Sequence, residues 1–189
     1  MNKLILDKEK KELVIKEDTI CDIDYEITLL NIKVLDNVKF IINHYVEIKD
    51  NNMIINVEQN NNSEFIYNHR FKNIGNYNIE ININMNGNES KNLINIRGLS
   101  DRGKTNIIVD GSVKENTINN VLDEKIKMLN INNGKSSVLP NMFINTKNVI
   151  ANHSVSITDI DEDYLFYLNS KGIDNNKAKE LIINGFLNK

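Results

Sequence analysis

The chain has 189 residues, of which 40% are hydrophobic and 26% are charged, a balance typical of a soluble globular domain. Its formal net charge of −3 argues against nucleic-acid binding, which ordinarily uses a basic surface. The first residues contain only a three-residue apolar run before charges resume, which predicts neither a signal peptide nor a membrane helix. We therefore expect a cytoplasmic protein that binds neither nucleic acid nor membrane.

Side chains that could carry chemistry are few. The single cysteine, Cys21, excludes an internal disulfide, and we expect it to be a small buried residue. The three histidines, His44, His69 and His153, lie far apart in sequence and show no metal-ligand spacing. We expect His44 and His69 to be structural. Asparagine is abundant throughout, and we interpret this as a biased codon pool rather than as disorder.

Up to about residue 157, apolar and polar residues alternate, as in strands that bury one face. The clearest runs are residues 25–29, 38–42, 65–71 and 77–85. Asparagine, aspartate and glycine, which tolerate positive φ, predict turns at residues 49–52, 60–62, 86–87 and 133–134. Many short strands fit a β-sandwich or barrel, but they also fit a β-solenoid. Periodicity alone does not choose between these folds.

The segment from Gly98 to Thr105 fits the letters of a phosphate-binding P-loop. A P-loop needs a helix at its Lys-Thr, whereas residues 106–110 are β-branched and predict a strand that reaches a turn at Gly111. We therefore expect a glycine-rich turn between two strands, with solvated cationic side chains.

From Asp159 onward the pattern becomes helical. Acidic residues at 159–163 suit a helix start, a first helix is predicted from Tyr164 to Ser170, and Gly172 ends it. Asp174 can cap a second helix, whose apolar face consists of Ala178, Leu181, Ile182, Gly185 and Phe186. This helical hairpin docks either on the chain's own β domain or on a partner. We divide the chain into a β core, residues 1–158, and a helical segment, residues 159–189.

The end of the chain carries a specific series of residues in a fixed order. They are Pro140, Val149, His153-Ser-Val-Ser156, Asp159, Phe166-Tyr167-Leu168, Ser170-Lys171-Gly172-Ile173, Ala178 and Gly185-Phe186. This series resembles the ending of the SufB/SufD family, the scaffold subunits of the SUF iron–sulfur cluster assembly machine. A weaker match extends upstream through residues 97–100 and 110–111 to the strand around Met128, and the first ninety residues match only in style.

The resemblance implies a mainly β fold, a right-handed parallel β-helix with a C-terminal α-helical hairpin, and so favours the solenoid. It implies a non-enzymatic scaffold that pairs with another SufB/SufD-like chain, as a heterodimer or homodimer, and binds a SufC-like ABC ATPase. The residues that it places on the ATPase-binding surface are Phe166, Tyr167, Leu168, Ser170, Lys171, Gly172, Ile173, Ala178 and Phe186. It also identifies His153 as a candidate for cluster assembly at the subunit interface.

Departures from the family pattern favour a short, SufD-like member without the family's N-terminal helical domain. Ser154 replaces a glycine, Lys171 replaces an arginine, and residues 134–139 lack the cysteine that SufB carries. Iron–sulfur clusters are held mainly by thiolates, commonly four, so we expect no stably bound cofactor and at most a transient cluster shared with a partner. A structural imidazole and a ligand remain alternative roles for His153. The alternative functions are a cytoplasmic β-solenoid interaction protein, a carbohydrate-active β-solenoid, and a degenerate member that only dimerises.

Overall fold

The computed structural model describes residues 1–188, which form eleven strands followed by two helices. The strands are β1 (Asn2–Leu4), β2 (Glu12–Ile15), β3 (Thr19–Ile23), β4 (Leu29–Val34), β5 (Lys39–Gln59), β6 (Glu64–Met85), β7 (Lys91–Asp101), β8 (Lys104–Val113), β9 (Asn120–Ile131), β10 (Lys135–Ile144) and β11 (Val149–Asp159). The helices are α1 (Glu162–Ser170) and α2 (Asn175–Asn188).

The strands coil into a parallel β-solenoid with two faces. The first face stacks β1, β3, the first halves of β5 and β6, then β7, β9 and β11. The second face stacks β2, β4, the second halves of β5 and β6, then β8 and β10. All of these pairings are parallel, which confirms the predicted mainly β solenoid with C-terminal helices.

Two predicted turns are wrong, one at residues 49–52 and one at Gly111. Residues 49–52 were expected to separate two strands, but β5 continues through them and turns a corner with a register irregularity between Ile48 and Asp50. The backbone stays paired with the next coil there, because Asp50 lies beside Asn76 on β6. The other predicted separators are genuine turns between strands, and Asn62 and Asn133 adopt the expected positive φ.

Inward-facing side chains stack in columns because each coil lies in phase with the next. Phe40 and Phe65, at paired positions on β5 and β6, have ring centroids 6.0 Å apart. His44 and His69 stack in the same way at 4.4 Å. These columns form one continuous hydrophobic core along the solenoid axis.

The two buried histidines belong to this core, as expected. His44 contacts the Tyr67 hydroxyl at 2.9 Å and the Tyr25 carbonyl at 2.9 Å. His69 contacts the Tyr77 hydroxyl at 3.0 Å. Burial lowers the pKa of His44 to about 4 and that of His69 well below its ordinary value, so both rings are neutral at neutral pH. They are satisfied structural groups without access to solvent.

Asparagine side chains on the outer surface form ladders that follow the coils. In one ladder Asn68 donates to Asn43 at 2.9 Å, and Asn95 donates to Asn68 at 3.0 Å. Two further ladders are Asn31–Asn56–Asn82 and Asn52–Asn78–Asn106. Many asparagines therefore form side-chain hydrogen bonds to the asparagine at the equivalent position of the next coil. Codon bias alone does not explain the asparagine content.

The segment that fits the letters of a P-loop is a strand, a turn and a strand. β7 ends at Asp101 and β8 begins at Lys104, so no helix follows the Lys-Thr pair. Gly98 faces inward, where a side chain would overlap the Phe71 ring and the end of Met128. The predicted turn at Gly111 is wrong, because this glycine lies inside β8 and also faces inward. Because Gly98 and Gly111 have no side chain, neighbouring core side chains can occupy the space beside them.

Replacing Gly98 with alanine should lower the free energy of unfolding by about 1–3 kcal/mol, because the added methyl group overpacks the core against Phe71. Chemical denaturation followed by circular dichroism measures the change. Gly185→Ala is the matched control: nothing lies within 4 Å of the added atom, and alanine favours the helix. Wild-type stability of Gly98→Ala would contradict the packing role.

Candidate functional site

The C-terminal end of the solenoid is open. Within residues 1–188, β11 pairs only with β9, and β10 pairs only with β8, so the outer edge of each strand has no neighbour. The inward-facing side chains of these two strands are therefore incompletely covered, and Val155 and Ile157 on β11 are exposed. On the outer side of β10, Leu139 and Phe143 are exposed as well. This end of the solenoid is an apolar surface bordered by unpaired strand edges.

His153 lies on this open end, in the middle of β11. Its Cα is paired with that of Glu124 on β9, one coil below. Paired residues of a parallel sheet point to the same side, so His153 extends the interior column to which Glu124 belongs. His153 is exposed because no further coil covers it.

Glu124 is a buried carboxyl group that the sequence motifs did not single out. The residue is fully buried, and neither of its carboxyl oxygens has a hydrogen-bond partner among the described residues. Burial, together with the nearby charges of Asp110 and Asp123, raises the pKa of Glu124 to about 8. A side chain at Gly111 would come within 3.1 Å of one carboxyl oxygen, so the glycine leaves space for it.

The signal for Glu124 was present in the sequence as a break in the alternation. Leu122, Ile126 and Met128 face the core from β9, and Glu124 occupies the same inward-facing series. A charged residue at an inward position is rarely fully buried without a partner. The inward position of Glu124 becomes evident only from the bounds of β9, which the sequence pattern alone does not define.

Cys21 lies near the other end of the same interior column, next to the last member, Leu4. Successive paired positions run from Cys21 through Ile42, Tyr67, Ile94 and Glu124 to His153. Five strand spacings separate Cys21 from His153, a distance of about 24 Å. Cys21 is fully buried, as expected, and burial raises the pKa of its thiol. The structure therefore does not bring the cysteine and His153 together.

Helix α1 is well defined at both ends, although it buries none of its residues. Asp161 caps its start by accepting a hydrogen bond from the Asp163 N–H at 2.9 Å. At its end, Gly172 has a φ of +83°, and the N–H groups of Gly172 and Ile173 donate to the carbonyls of Asn169 and Leu168. This pattern is a Schellman motif, which confirms the predicted stop at Gly172.

Three aromatic side chains of α1 are exposed. Tyr164, Phe166 and Tyr167 are 64%, 76% and 59% exposed. The Lys171 ammonium lies 5.5 Å from the centre of the Tyr167 ring. Large aromatic side chains exposed to this extent on one short helix are typical of a surface that binds a partner.

Helix α2, by contrast, is attached to the β domain. Its Ala178 and Leu187 are buried, and Leu99 and Leu129 are buried on the outer side of β7 and β9. Arg97 of β7 donates to the Phe186 carbonyl at 3.1 Å, and its guanidinium lies 5.9 Å from the Phe186 ring centre. The predicted face of α2 is only partly right, because Leu181 and Gly185 are exposed. The hairpin thus docks on its own domain through α2 and leaves α1 free.

The nine residues predicted to face an ATPase divide accordingly. Exposed on α1 and the loop that follows are Phe166, Tyr167, Ser170, Lys171 and Gly172. Leu168, Ile173 and Phe186 are half-buried, and Ala178 is fully buried. His153 lies on the separate surface at the solenoid end.

Two general features of the described residues limit the possible sites. Among residues 1–188, no three His, Cys, Asp or Glu side chains come together in a way that could hold a metal ion. No helix in that range is long and apolar enough to cross a membrane.

The fold is a parallel β-solenoid with an open end and an external helical hairpin. The family model described as SUF system FeS cluster assembly, SufBD core domain, matches residues 58–186. The match covers well over half of the chain, so the chain belongs to the SufB/SufD family, a family of non-catalytic scaffolds that acts in iron–sulfur cluster assembly. It begins at residue 58, well upstream of the motifs that carried the resemblance. No curated protein matches the chain.

Ionisation of Glu124 should make stability depend on pH. The folded-state pKa of Glu124, about 8, lies above the ordinary value of 4.5. The contribution of Glu124 to the free energy of unfolding is therefore fully present below pH 4.5 and is lost as pH rises towards 8. The loss is about 1.4 kcal/mol per pH unit in that window. Glu124→Gln cannot ionise, and we expect it to match the wild type near pH 4 and become progressively more stable by comparison up to pH 8.

Urea denaturation at a series of pH values measures this difference. Glu115→Gln, on the exposed turn between β8 and β9, is the control and should show no such divergence. A stability difference between Glu124→Gln and wild type that stays constant with pH would contradict the expectation.

Proposed function

We propose that the chain is a SufD-like scaffold subunit, without enzymatic activity of its own, that binds a SufC-like ABC ATPase through α1 and pairs with a SufB/SufD-like chain through the open end of its solenoid. The observation that carries the proposal is the exposed aromatic side of α1, on a helix that the β domain holds in place but does not cover. The family's role in iron–sulfur cluster assembly supplies the setting.

The chemistry of α1 fits a docking surface. Aromatic residues are enriched among the side chains that contribute most to binding energy, and Phe166 and Tyr167 are among the most exposed large apolar side chains of the chain. Glu162 and Asp163 border them at the start of the helix. An apolar centre with a polar rim is the usual composition of a protein interface.

The way the hairpin is held also favours docking. Capping at Asp161 and the Schellman motif at Gly172 fix the ends of α1 before any partner arrives. Arg97 and the buried Ala178 and Leu187 hold α2 on the β domain. A surface already ordered in the free protein loses less conformational entropy on binding. In this arrangement Ala178 supports the surface, whereas Phe166 and Tyr167 contact the ATPase.

The open end of the solenoid supports pairing with a second chain. Unpaired strand edges on β10 and β11 can accept another strand, and exposed edges tend to recruit one. Val155 and Ile157 provide apolar contact area beside those edges. His153 lies on the same strand, so a second chain that covers the end would place this imidazole at the shared interface.

The cluster is cargo in this proposal. Cys21 is buried about 24 Å from His153, so this chain supplies no thiolate at the interface. A partner must therefore provide the thiolates that hold a cluster. Any cluster is held transiently between the chains.

Removing the aromatic side chains of α1 should weaken ATPase binding. We expect Phe166→Ala combined with Tyr167→Ala to weaken the complex by at least about 30-fold, because truncating even one central aromatic contact costs about 2 kcal/mol or more. Copurification with the cognate ATPase, followed by titration calorimetry, measures the loss. Ile118→Ala, which removes an exposed apolar side chain from the turn before β9, is the control and should bind normally. Normal binding by the double variant would contradict docking on α1.

A charge at the open end should prevent pairing. Ile157→Glu places a carboxylate among the exposed apolar side chains of β11 and should weaken pairing at least tenfold, since an unpaired charge is costly to bury in an interface. Sedimentation velocity, alone and with a SufB-like chain, measures the association. Ile74→Glu, at an exposed corner in the middle of the solenoid, is the matched control. Loss of pairing in both variants, or in neither, would contradict the assignment of the interface.

A further inference from the structure

Glu124 is the one fully buried carboxyl group in the described chain, and it has no hydrogen-bond partner. Most other buried polar side chains have partners: Gln59 donates to the Lys91 carbonyl at 2.9 Å, and Asn73 donates to the Thr105 hydroxyl at 2.9 Å. Asn92 donates to the Gln59 side-chain oxygen at 2.6 Å, so only its own amide oxygen is left without a partner among the described residues. A buried acidic group without partners is costly, and packing gives no reason for it, because Leu122 and Ile126 show that the neighbouring inward positions accept apolar residues.

The position of Glu124 in the fold supplies a reason. It lies one coil below the open end, directly beneath His153. Above it come only side chains of the last two strands, where Met142 is half-buried and His153 is exposed. The carboxyl group is therefore one layer of incompletely packed side chains away from the open end.

The spacing suits two ligands to one metal ion. Neighbouring strands are about 4.8 Å apart, and the paired side chains of Glu124 and His153 leave the sheet on the same side. Metal–nitrogen and metal–oxygen bonds are about 2.0–2.2 Å long, so donor atoms on such side chains can meet at one ion. Imidazole and carboxylate together suit iron(II), manganese(II), cobalt(II) and zinc(II).

We propose that Glu124 is a metal ligand, and that its carboxylate and the His153 imidazole together bind a divalent transition-metal cation that enters through the open end of the solenoid. Within the proposed function, on which its biological meaning rests, that cation is ferrous iron delivered as cargo. Two ligands leave coordination positions for water and for groups of a second chain. The site is thus half-formed in this chain and completed on pairing.

The side chains of β9 and β11 must shift for the site to form, because Glu124 is covered in the free chain. The glycine at position 111 leaves the carboxyl group room to move, since a side chain there would lie 3.1 Å from its oxygen. Loss of even an outer-shell partner weakens metal binding by about 10–100-fold, so loss of a direct ligand should weaken it at least tenfold.

The test is an anaerobic titration of the isolated chain with ferrous iron, measured by calorimetry. We expect one binding event that weakens at least about tenfold in Glu124→Gln and in His153→Ala. Two controls change similar groups elsewhere: Glu115→Gln on an exposed turn and Asn152→Ala on the opposite side of β11 should bind as the wild type does. Circular dichroism confirms that each variant is folded. Wild-type affinity in Glu124→Gln would overturn the proposal.

A second measurement locates the ion without any substitution. Manganese(II) added to the wild-type chain should broaden the backbone amide signals around Glu124 and His153 in nuclear magnetic resonance spectra. Broadening centred on the acidic residues 159–163 instead would overturn the proposal. Both experiments use this chain alone, so their failure is distinct from a failure of ATPase docking or of pairing.

Discussion

The in-phase parallel pairing of successive coils determines the rest of this structure. Since each residue is paired with its counterpart one coil away, a single choice of side chain is repeated along the axis as a column or a ladder. Inward columns give the core, and outward asparagines bond from coil to coil. The same pairing places Glu124 under His153, and the last strands, β10 and β11, have no neighbour on their outer edges within residues 1–188.

The two C-terminal surfaces have different physical origins. The open end is apolar because inward positions on β10 and β11 continue columns that no further coil covers. The α1 surface is apolar because three aromatic side chains project from a helix that buries nothing. A chain that covers the open end must pair with the strand edges and pack on the apolar side chains beside them. A chain that covers α1 must instead provide a pocket for aromatic rings. Under the proposed function, the ATPase and the second chain would therefore not compete for one surface.

Much of the fold could be predicted from the sequence, and the limits have physical causes. Period-two alternation gave the strands but could not choose a solenoid, because stacking between coils leaves no local signal; the motif resemblance made that choice. The corner at Ile48–Asp50 was missed because turn residues can bend a strand without ending its pairing. At the site, the caps at Asp161 and Gly172 were predictable from local chemistry. Glu124 was not, since its importance lies in a pairing with a residue 29 positions away.

Because the coils are stacked, the number of coils can change without changing the residues exposed at the C-terminal end. A whole coil could be added or deleted in the middle of the solenoid, and the new neighbours would still meet in register, as in other linear repeat folds. Such a change would shift His153 and α1 along the axis by one strand spacing, about 4.8 Å, without altering either surface. A single-residue insertion inside β9 would instead turn Glu124 to the outside. Relatives with this architecture can therefore vary in size in whole-coil steps while presenting the same terminus.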